Sequence, residues 1–329
     1  MVNHTEALRL TSPGLKPCRA VLLPDEGMSA LSEDYFRSPH HLRAEGVTHT
    51  LFIDDAGGRS LRIPLIVRPI DGTPYRDAIS PYGFPGARLE GLSEVPKAAV
   101  DWTGTGLVSL FIRDRVVGPH CFADGTERNE VFFIDSLRAI HFPAEARRQM
   151  RRNTRLGYVS TCAPVRETTP EEREGFKEVY RQTMVRDCAH ARYFFSDAYF
   201  EDLFASPVAW LATTRAPEGG IASSGVAVVS DGVLHYYLGG TADAHLARSP
   251  AKNTIYETLV ALGVQLGLPL NLGGGVRPGD GLEKFKRSFA NLSSRLLTHE
   301  LICEPALYAR LSAGREDTGF FPAYRAPRG

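Results

Sequence analysis

The sequence predicts a mixed α/β protein made of two halves that repeat one order of elements, and three observations carry that expectation. A strand–strand–strand–helix–strand pattern occurs twice along the 329 residues. Each copy has a Gly/Pro-rich break after its third strand, Ser80-Pro81-Tyr82-Gly83-Phe84-Pro85-Gly86 in the first and Gly239-Gly240-Thr241 in the second. Between the copies lies a helix dense in arginine, residues 143–156. Identity between the halves is negligible, so duplication is read from element order alone.

In the first half, residues 48–54 and 61–67 are β-branched and apolar, and Asp55-Ala56-Gly57-Gly58 between them reads as a hairpin turn. A third strand at 75–79 runs into the Ser80–Gly86 break, a helix is expected over 92–102, and a strand follows at 107–113. The linking helix carries Arg147, Arg148, Arg151, Arg152 and Arg155, of which 147, 151 and 155 share one face. Thr168-Thr169-Pro170-Glu171-Glu172 then supplies an N-cap, a proline in the first turn and early acidic residues, opening a helix to about Met184.

The second half starts with strands at 209–214 and 223–229 around the turn Ala216-Pro217-Glu218-Gly219-Gly220. A strand at 233–238, the glycine break, a polar loop ending Ser249-Pro250, a helix at 251–266 and a strand at 268–272 complete it. Gly273-Gly274-Gly275 and the pair Phe285-Lys286, with Phe289, come next.

Composition narrows the function classes. Hydrophobic residues are 43% and charged residues 23%, as in ordinary soluble domains, and the length suits two domains. Zero formal net charge means that no bulk field advertises nucleic acid or membrane, so a polyanion would have to meet a local patch. Five scattered cysteines without a Cys-x-x-Cys pair fit a reducing compartment, and neither a metal site nor a cofactor is expected. Residues 1–17 show no secretory pattern, and a cytoplasmic location is expected.

Each candidate site has a functional and a plain reading. The six lysines are few beside many arginines, yet Lys284 and Lys286 fall within three positions. With Phe285, Lys286 can set an ammonium at a developing oxyanion or a phosphate; equally, Phe285 and Phe289 can simply pack at i, i+4. Gly274 can let backbone approach a ligand, or merely turn. Tyr82 and Phe84, with Tyr193 of Arg192-Tyr193-Phe194-Phe195, can wall a substrate, or pack. His235 and Tyr237 share one strand face, where a histidine is more often packed than basic. The arginine face can hold phosphates, or be solvated.

The order Tyr180-x-x-Thr183-Met184, Arg192-Tyr193-Phe194-Phe195, Tyr237-Leu238-Gly239-Gly240-Thr241, Ser249-Pro250, Leu272-Gly273-Gly274 and Phe285-Lys286-x-x-Phe289 resembles the Fem family. Ser80-Pro81-Tyr82-Gly83 and Arg151-Arg152-Asn153 add to the resemblance, which spans roughly residues 40–300 in ordered pieces. It implies α+β mixed sheets in tandem GNAT-type (acetyltransferase-like) folds, two domains related by duplication. The first would cover 1–145 on the acceptor side, completed by 302–329, and the second 146–301 on the donor side. It also implies an aminoacyltransferase that moves an amino acid from aminoacyl-tRNA to an amine of a small-molecule or peptide acceptor, of natural-product or cell-wall type. Phe285 and Lys286 match the family's Phe-Lys pair at the reaction centre, and the Tyr82 loop matches its acceptor side. Asp77 or His235 is the candidate for taking the amine proton, and the arginines from 147 to 155 for tRNA phosphates. The chain has no long heptad segment, so the coiled-coil arm of some members is missing.

The rival reading is an acyl-CoA-dependent N-acyltransferase acting on an amino sugar or amino acid. That chemistry uses an Arg/Gln-x-x-Gly-x-Gly/Ala loop, and the corresponding interval 239–252 holds Ser249-Pro250 where glycines are needed.

Overall fold

The computed structural model describes residues 18–275, 279–316 and 318–326. The stretch 1–17, read above for targeting, lies outside them. The first part of the chain forms β1 (Cys18–Pro24), α1 (Pro39–Ala44), β2 (His49–Asp54), β3 (Ser60–Pro69), β4 (Arg76–Ile79) and β5 (Arg88–Glu90). Then come β6 (Val100–Asp101), β7 (Ser109–Arg113) and β8 (Thr126–Ile134). The arginine-rich helix is α2 (Ala144–Arg155), followed by β9 (Val159–Pro164), α3 (Pro170–Arg186) and α4 (Asp197–Ala205). The second set is β10 (Ala209–Arg215), β11 (Ile221–Ser230), β12 (Val233–Thr241), α5 (Ala251–Asn253), α6 (Val260–Leu266) and β13 (Leu270–Gly273). The chain ends with α7 (Gly281–Arg287), β14 (Leu292–Ile302) and α8 (Pro305–Ser312).

These strands make one sheet in the order β6-β1-β2-β3-β4-β7-β14-β8-β13-β12-β11-β10-β9, with β5 on β3. Strands β1 to β4 are antiparallel and β7 joins β4 in parallel. Strands β9 to β12 are likewise antiparallel and β13 joins β12 in parallel. The sixth strands cross over: β14, from the end of the chain, pairs with β7, and β8, from before α2, pairs with β13. β8 and β14 pair with each other at the seam.

Local chemistry explains most starts and stops. Thr169 and Glu172 form a reciprocal capping box at α3 with Pro170 inside the first turn. Ser38 caps α1 and Ser196 caps α4. The expected helix at 92–102 does not form. Val95 bridges Phe122, Lys97–Ala99 is a single 3-10 turn, and Val100–Asp101 pairs with β1. Pro96 lacks the amide a helix interior needs, and buried Val95 and Val100 gain more by packing on the first core. The helix expected at 251–266 is continuous but carries a π-helical stretch, Thr254–Leu259, where the Thr258 hydroxyl bonds back to the Thr254 carbonyl.

One core lies under the first set of strands, centred on Leu51, Ile53, Leu61, Ile63 and Phe122. A second, around Phe176, Phe200 and Leu203, accepts Tyr35 and Phe36 from the first part of the chain. A third packs Met150 of α2 with Ile255, Leu259 and Phe289 on the opposite face.

Candidate active site

Strands β12 and β13 pair at only Leu234↔Leu270 and His235↔Asn271, then part, leaving a wedge in the sheet. A bulge in β12 places Tyr237 between the partners of Val226 and Ala227. At the apex, the Asn271 amide donates to His235 Nδ1 at 3.1 Å, and the Asn271 side-chain oxygen accepts the Gly273 amide at 2.7 Å. Gly273 has φ +75, and a Cβ there would lie 3.1 Å from the Lys286 ammonium. Lys286, on α7, donates to the Gly274 carbonyl at 2.8 Å. Gly274 runs so close to β8 that a Cβ would meet the Glu130 carbonyl at 2.5 Å. The glycines are therefore needed for close approach, and the turn brings Lys286 to one lip of the wedge.

Burial lowers the pKa of Lys286 to about 8, with Asp280 opposing. Among the described residues its ammonium donates to one carbonyl, which leaves donors for a substrate oxygen. Phe285 meets Phe289 edge-on at 5.0 Å and packs on the third core, so the plain i, i+4 reading also holds for this ring.

On the other side of the apex the structure gathers the aromatic candidates. Tyr82 lies 5.7 Å from Tyr193 and 5.9 Å from Tyr237, ring centre to ring centre, and Phe84 stacks on His235 at 5.2 Å. Phe36 touches both His235 and Tyr237, so these two do face the same way. A line of contacts thus runs from Phe84 through His235, Asn271 and Gly273 to Lys286. Burial pushes the Tyr82 phenol up to about 12.

The Tyr82 loop is held by buried charge. Arg37 donates to the Pro85 carbonyl at 2.5 Å and pairs with Asp231 at 2.6 Å and Asp34 at 2.9 Å. Arg115 pairs with Asp231 at 3.0 Å and donates to the Ala87 carbonyl. Asp34 accepts the Asp231 amide at 2.7 Å. Burial would lower Arg37's pKa, but the two carboxylates outweigh it and raise it. Gly83, at φ +93, passes the Phe36 ring where a Cβ would sit 2.3 Å away.

Two candidates lose the role of proton acceptor. Asp77 is fully buried away from the wedge, its oxygens taken by Arg68 at 2.9 Å, Arg325 at 2.5 Å and the Tyr324 hydroxyl at 3.0 Å. His235 is buried, which lowers its pKa to about 3. Its Nε2 contacts the Ser230 carbonyl at 3.2 Å and its Nδ1 contacts Asn271, so both nitrogens are occupied. It positions Asn271 and the Gly273 turn.

The five arginines of α2 are exposed, and none is in an ion pair among the described residues. Arg147, Arg151 and Arg155 line a groove of about 370 Å³ with Thr154 and Glu257. Asn153, on the buried side, bonds Asn253 at 2.8 Å and the Arg248 carbonyl at 2.9 Å, fixing α2 against the loop that leaves β12. Sequence reading missed Asn271, Arg37 and Asp231. A polar residue between Leu270 and Leu272 was the available sign for the first. No group of His, Cys, Asp and Glu suited to a metal occurs among the described residues.

Residues 141–287 match the model of the acetyltransferase (GNAT) domain, and the wedge lies within that match. This part of the chain matches the GNAT domain, and the chain as a whole has a Fem-like fold. FemX superposes with TM-score 0.60 at 12% identity, covering 88% of this chain and 99% of FemX. L-PGS from Bacillus licheniformis gives 0.53 at 15% identity, over 81% and 88% of the two chains. The C-terminal domain of a putative lysylphosphatidylglycerol synthetase from Agrobacterium fabrum gives 0.51 at 13%, over 82% and 88%. No curated protein matches this chain in sequence. None of its helices among the described residues is long and apolar enough to cross a membrane.

Proposed function

We propose that this acyltransferase moves an amino acid from aminoacyl-tRNA to the amine of a small-molecule or peptide acceptor in the cytoplasm. The observation that carries the reading is the placement of a half-buried ammonium, Lys286, at the lip of the wedge, with the arginine face of α2, free of ion pairs among the described residues, fixed against the loop that leaves β12. An aminoacyl ester is already activated, so position and charge suffice. The acceptor amine attacks the ester carbonyl, a C–N bond forms, the C–O bond to ribose breaks, and the amine proton ends on the released ribose hydroxyl. Lys286 stabilises the oxyanion between these steps, with Phe285 fixing its helix on the core. Gly274 keeps the turn close, and Tyr82, Phe84, Tyr193 and Tyr237 wall the acceptor. Arg147, Arg148, Arg151, Arg152 and Arg155 take tRNA phosphates, giving a basic patch to a chain of zero net charge. The name lysylphosphatidylglycerol synthetase, borne by the Agrobacterium fabrum neighbour, denotes an aminoacyl product and supports the donor class.

We also propose that residues 1–145 with 302–329 serve the acceptor and 146–301 the donor. The second reading, an acyl-CoA donor, is favoured by the acetyltransferase model match. Against it, the loop into α5 is a 3-10 helix, Asp243–Arg248, closed by Ser249 at φ 46 and Pro250, without the glycines that bring backbone amides to a pyrophosphate. The test is amide formation followed by mass, with charged tRNA or acyl-CoA as donor and ribonuclease added. Loss of product with ribonuclease supports tRNA; persistence with acyl-CoA overturns it.

A further inference from the structure

Ser109, Phe111 and Arg113 alternate along β7 and so share one face of the parallel pair β4–β7. The segment 318–326 is fastened to that face. Tyr324 is buried, its hydroxyl 2.7 Å from the Ser109 hydroxyl and donating to Asp77 at 3.0 Å. Arg325 donates to the same carboxylate at 2.5 Å and to the Pro69 carbonyl, at the end of β3, at 2.6 Å. A fully buried carboxylate is costly unless paired and hydrogen-bonded. Arg68 supplies one partner of Asp77 and the segment supplies the others, so burial of Asp77 is coupled to docking of the segment.

The same segment reaches toward the first opening. Phe321 stacks on Tyr308 of α8 at 5.9 Å and lies 6.5 Å from Phe111, ring centre to ring centre. The Tyr308 hydroxyl accepts the Ala323 amide at 3.0 Å. The Arg113 guanidinium lies over the Phe111 ring at 5.1 Å and donates to the Ser80 carbonyl at 3.1 Å, while the Arg113 amide donates to the Ser80 hydroxyl at 2.9 Å. With no carboxylate within 4.0 Å among the described residues, this guanidinium takes its orientation from the Phe111 ring and the Ser80 carbonyl. A line of contacts thus runs from Asp77 through Tyr324, Tyr308, Phe321, Phe111 and Arg113 to Ser80, where the Tyr82 loop begins.

We propose that the segment 318–326 is a strap that positions the Tyr82 loop: clamped at Asp77, it sets Phe111 through Phe321, and Phe111 sets the Arg113 side chain that holds Ser80. Phe321, Tyr324 and Arg325 are positioning residues, and Asp77 is the anchor of the strap. The strap's meaning for catalysis rests on the reading of the Tyr82 loop as the acceptor side. Its existence does not, because the experiment reads the loop's own amides, with neither donor nor acceptor present.

The test is hydrogen–deuterium exchange of the full chain, read by mass spectrometry. In the loop, Ser80 donates its amide to the Phe111 carbonyl, Tyr82 to the Glu45 carboxylate and Gly86 to the Arg113 carbonyl, so loosening shows as faster exchange over 80–86. Phe321→Ala is expected to speed exchange there by about tenfold or more, while β1, β2 and α7 exchange as in wild type. Phe321→Leu, which keeps an apolar contact for Phe111, is expected to stay within about threefold of wild type. Arg325→Gln should act as Phe321→Ala does. Should loss of a partner of buried Asp77 prevent folding, the half-buried, uncharged Phe321 keeps the test available. Unchanged exchange over 80–86 in Phe321→Ala, whatever happens at 318–326, would make the strap a mere cover of the core and overturn the proposal. Equal acceleration in β1 and β2 would also overturn it, as general destabilisation.

Discussion

The parallel pairs of the two halves, β4 with β7 and β12 with β13, repeat one backbone feature with different side chains. Each pair is joined at only two register positions before the chain leaves the sheet. Beyond β4 the chain enters the Tyr82 loop, and Arg113 of the partner strand returns to Ser80. Beyond β13 it enters the glycine turn, and Lys286 returns to Gly274. One opening thus has aromatic rings and a guanidinium, the other a single compact ammonium and close backbone. Under the proposed function the same architecture would serve binding at one end and charge stabilisation at the other. The two openings share a backbone pattern and differ in their side chains.

The division can be broken by variants at each end. The largest effect is expected where the ends are joined: Asp231→Asn leaves Arg37 and Arg115 without their shared charge and should cost about 3–5 kcal/mol, read from denaturant unfolding. A loss below ~1 kcal/mol would mean that the openings are held by packing alone. Lys286→Ala should lower kcat by about 10²–10³ with the fold intact by circular dichroism; near-normal turnover would remove Lys286 from the reaction centre. Tyr82→Ala should instead raise the acceptor KM up to about tenfold, the scale of one aromatic pairing removed, and change kcat little. If it changed kcat alone, the contrast between the openings would fail.

Two smaller effects sharpen the donor end. A reaction that needs the Lys286 ammonium should lose rate as pH rises through about 8, because the proton is lost there. Lys286→Arg, which stays charged, should lack that falling limb whatever its absolute rate; a limb unchanged in the variant would assign it to another group. In the double variant Arg147→Gln/Arg151→Gln, the slope of log affinity for charged tRNA against log salt should shrink by about 0.7–0.9 for each phosphate no longer neutralised.

Local signals made much of this legible. The capping box at Thr169, the hairpin turns and the order of strands were readable because each depends on residues a few positions apart. Phe285-Lys286 and the Tyr82 loop stood out by residue type. What was hidden depends on distance along the chain. Asp77 looked available as a base because two of its three partners, Tyr324 and Arg325, are 247 and 248 residues away. Arg37 and Asp231 are 194 residues apart and form one ion cluster. The helix expected at 92–102 failed for the same reason, since β1 claims Val100 and Asp101 from far upstream.

The crossing of the sixth strands has a consequence for how the protein is made. β7 is synthesised long before its neighbour β14, which spans Leu292–Ile302. Until then the first half carries an open edge whose amides and carbonyls face solvent, the configuration most prone to pairing with another chain. Neither half can close its own sheet, so the sheet becomes continuous only when β14 reaches back to β7, and a ribosome pausing before β14 emerges would hold the first half with that edge still bare.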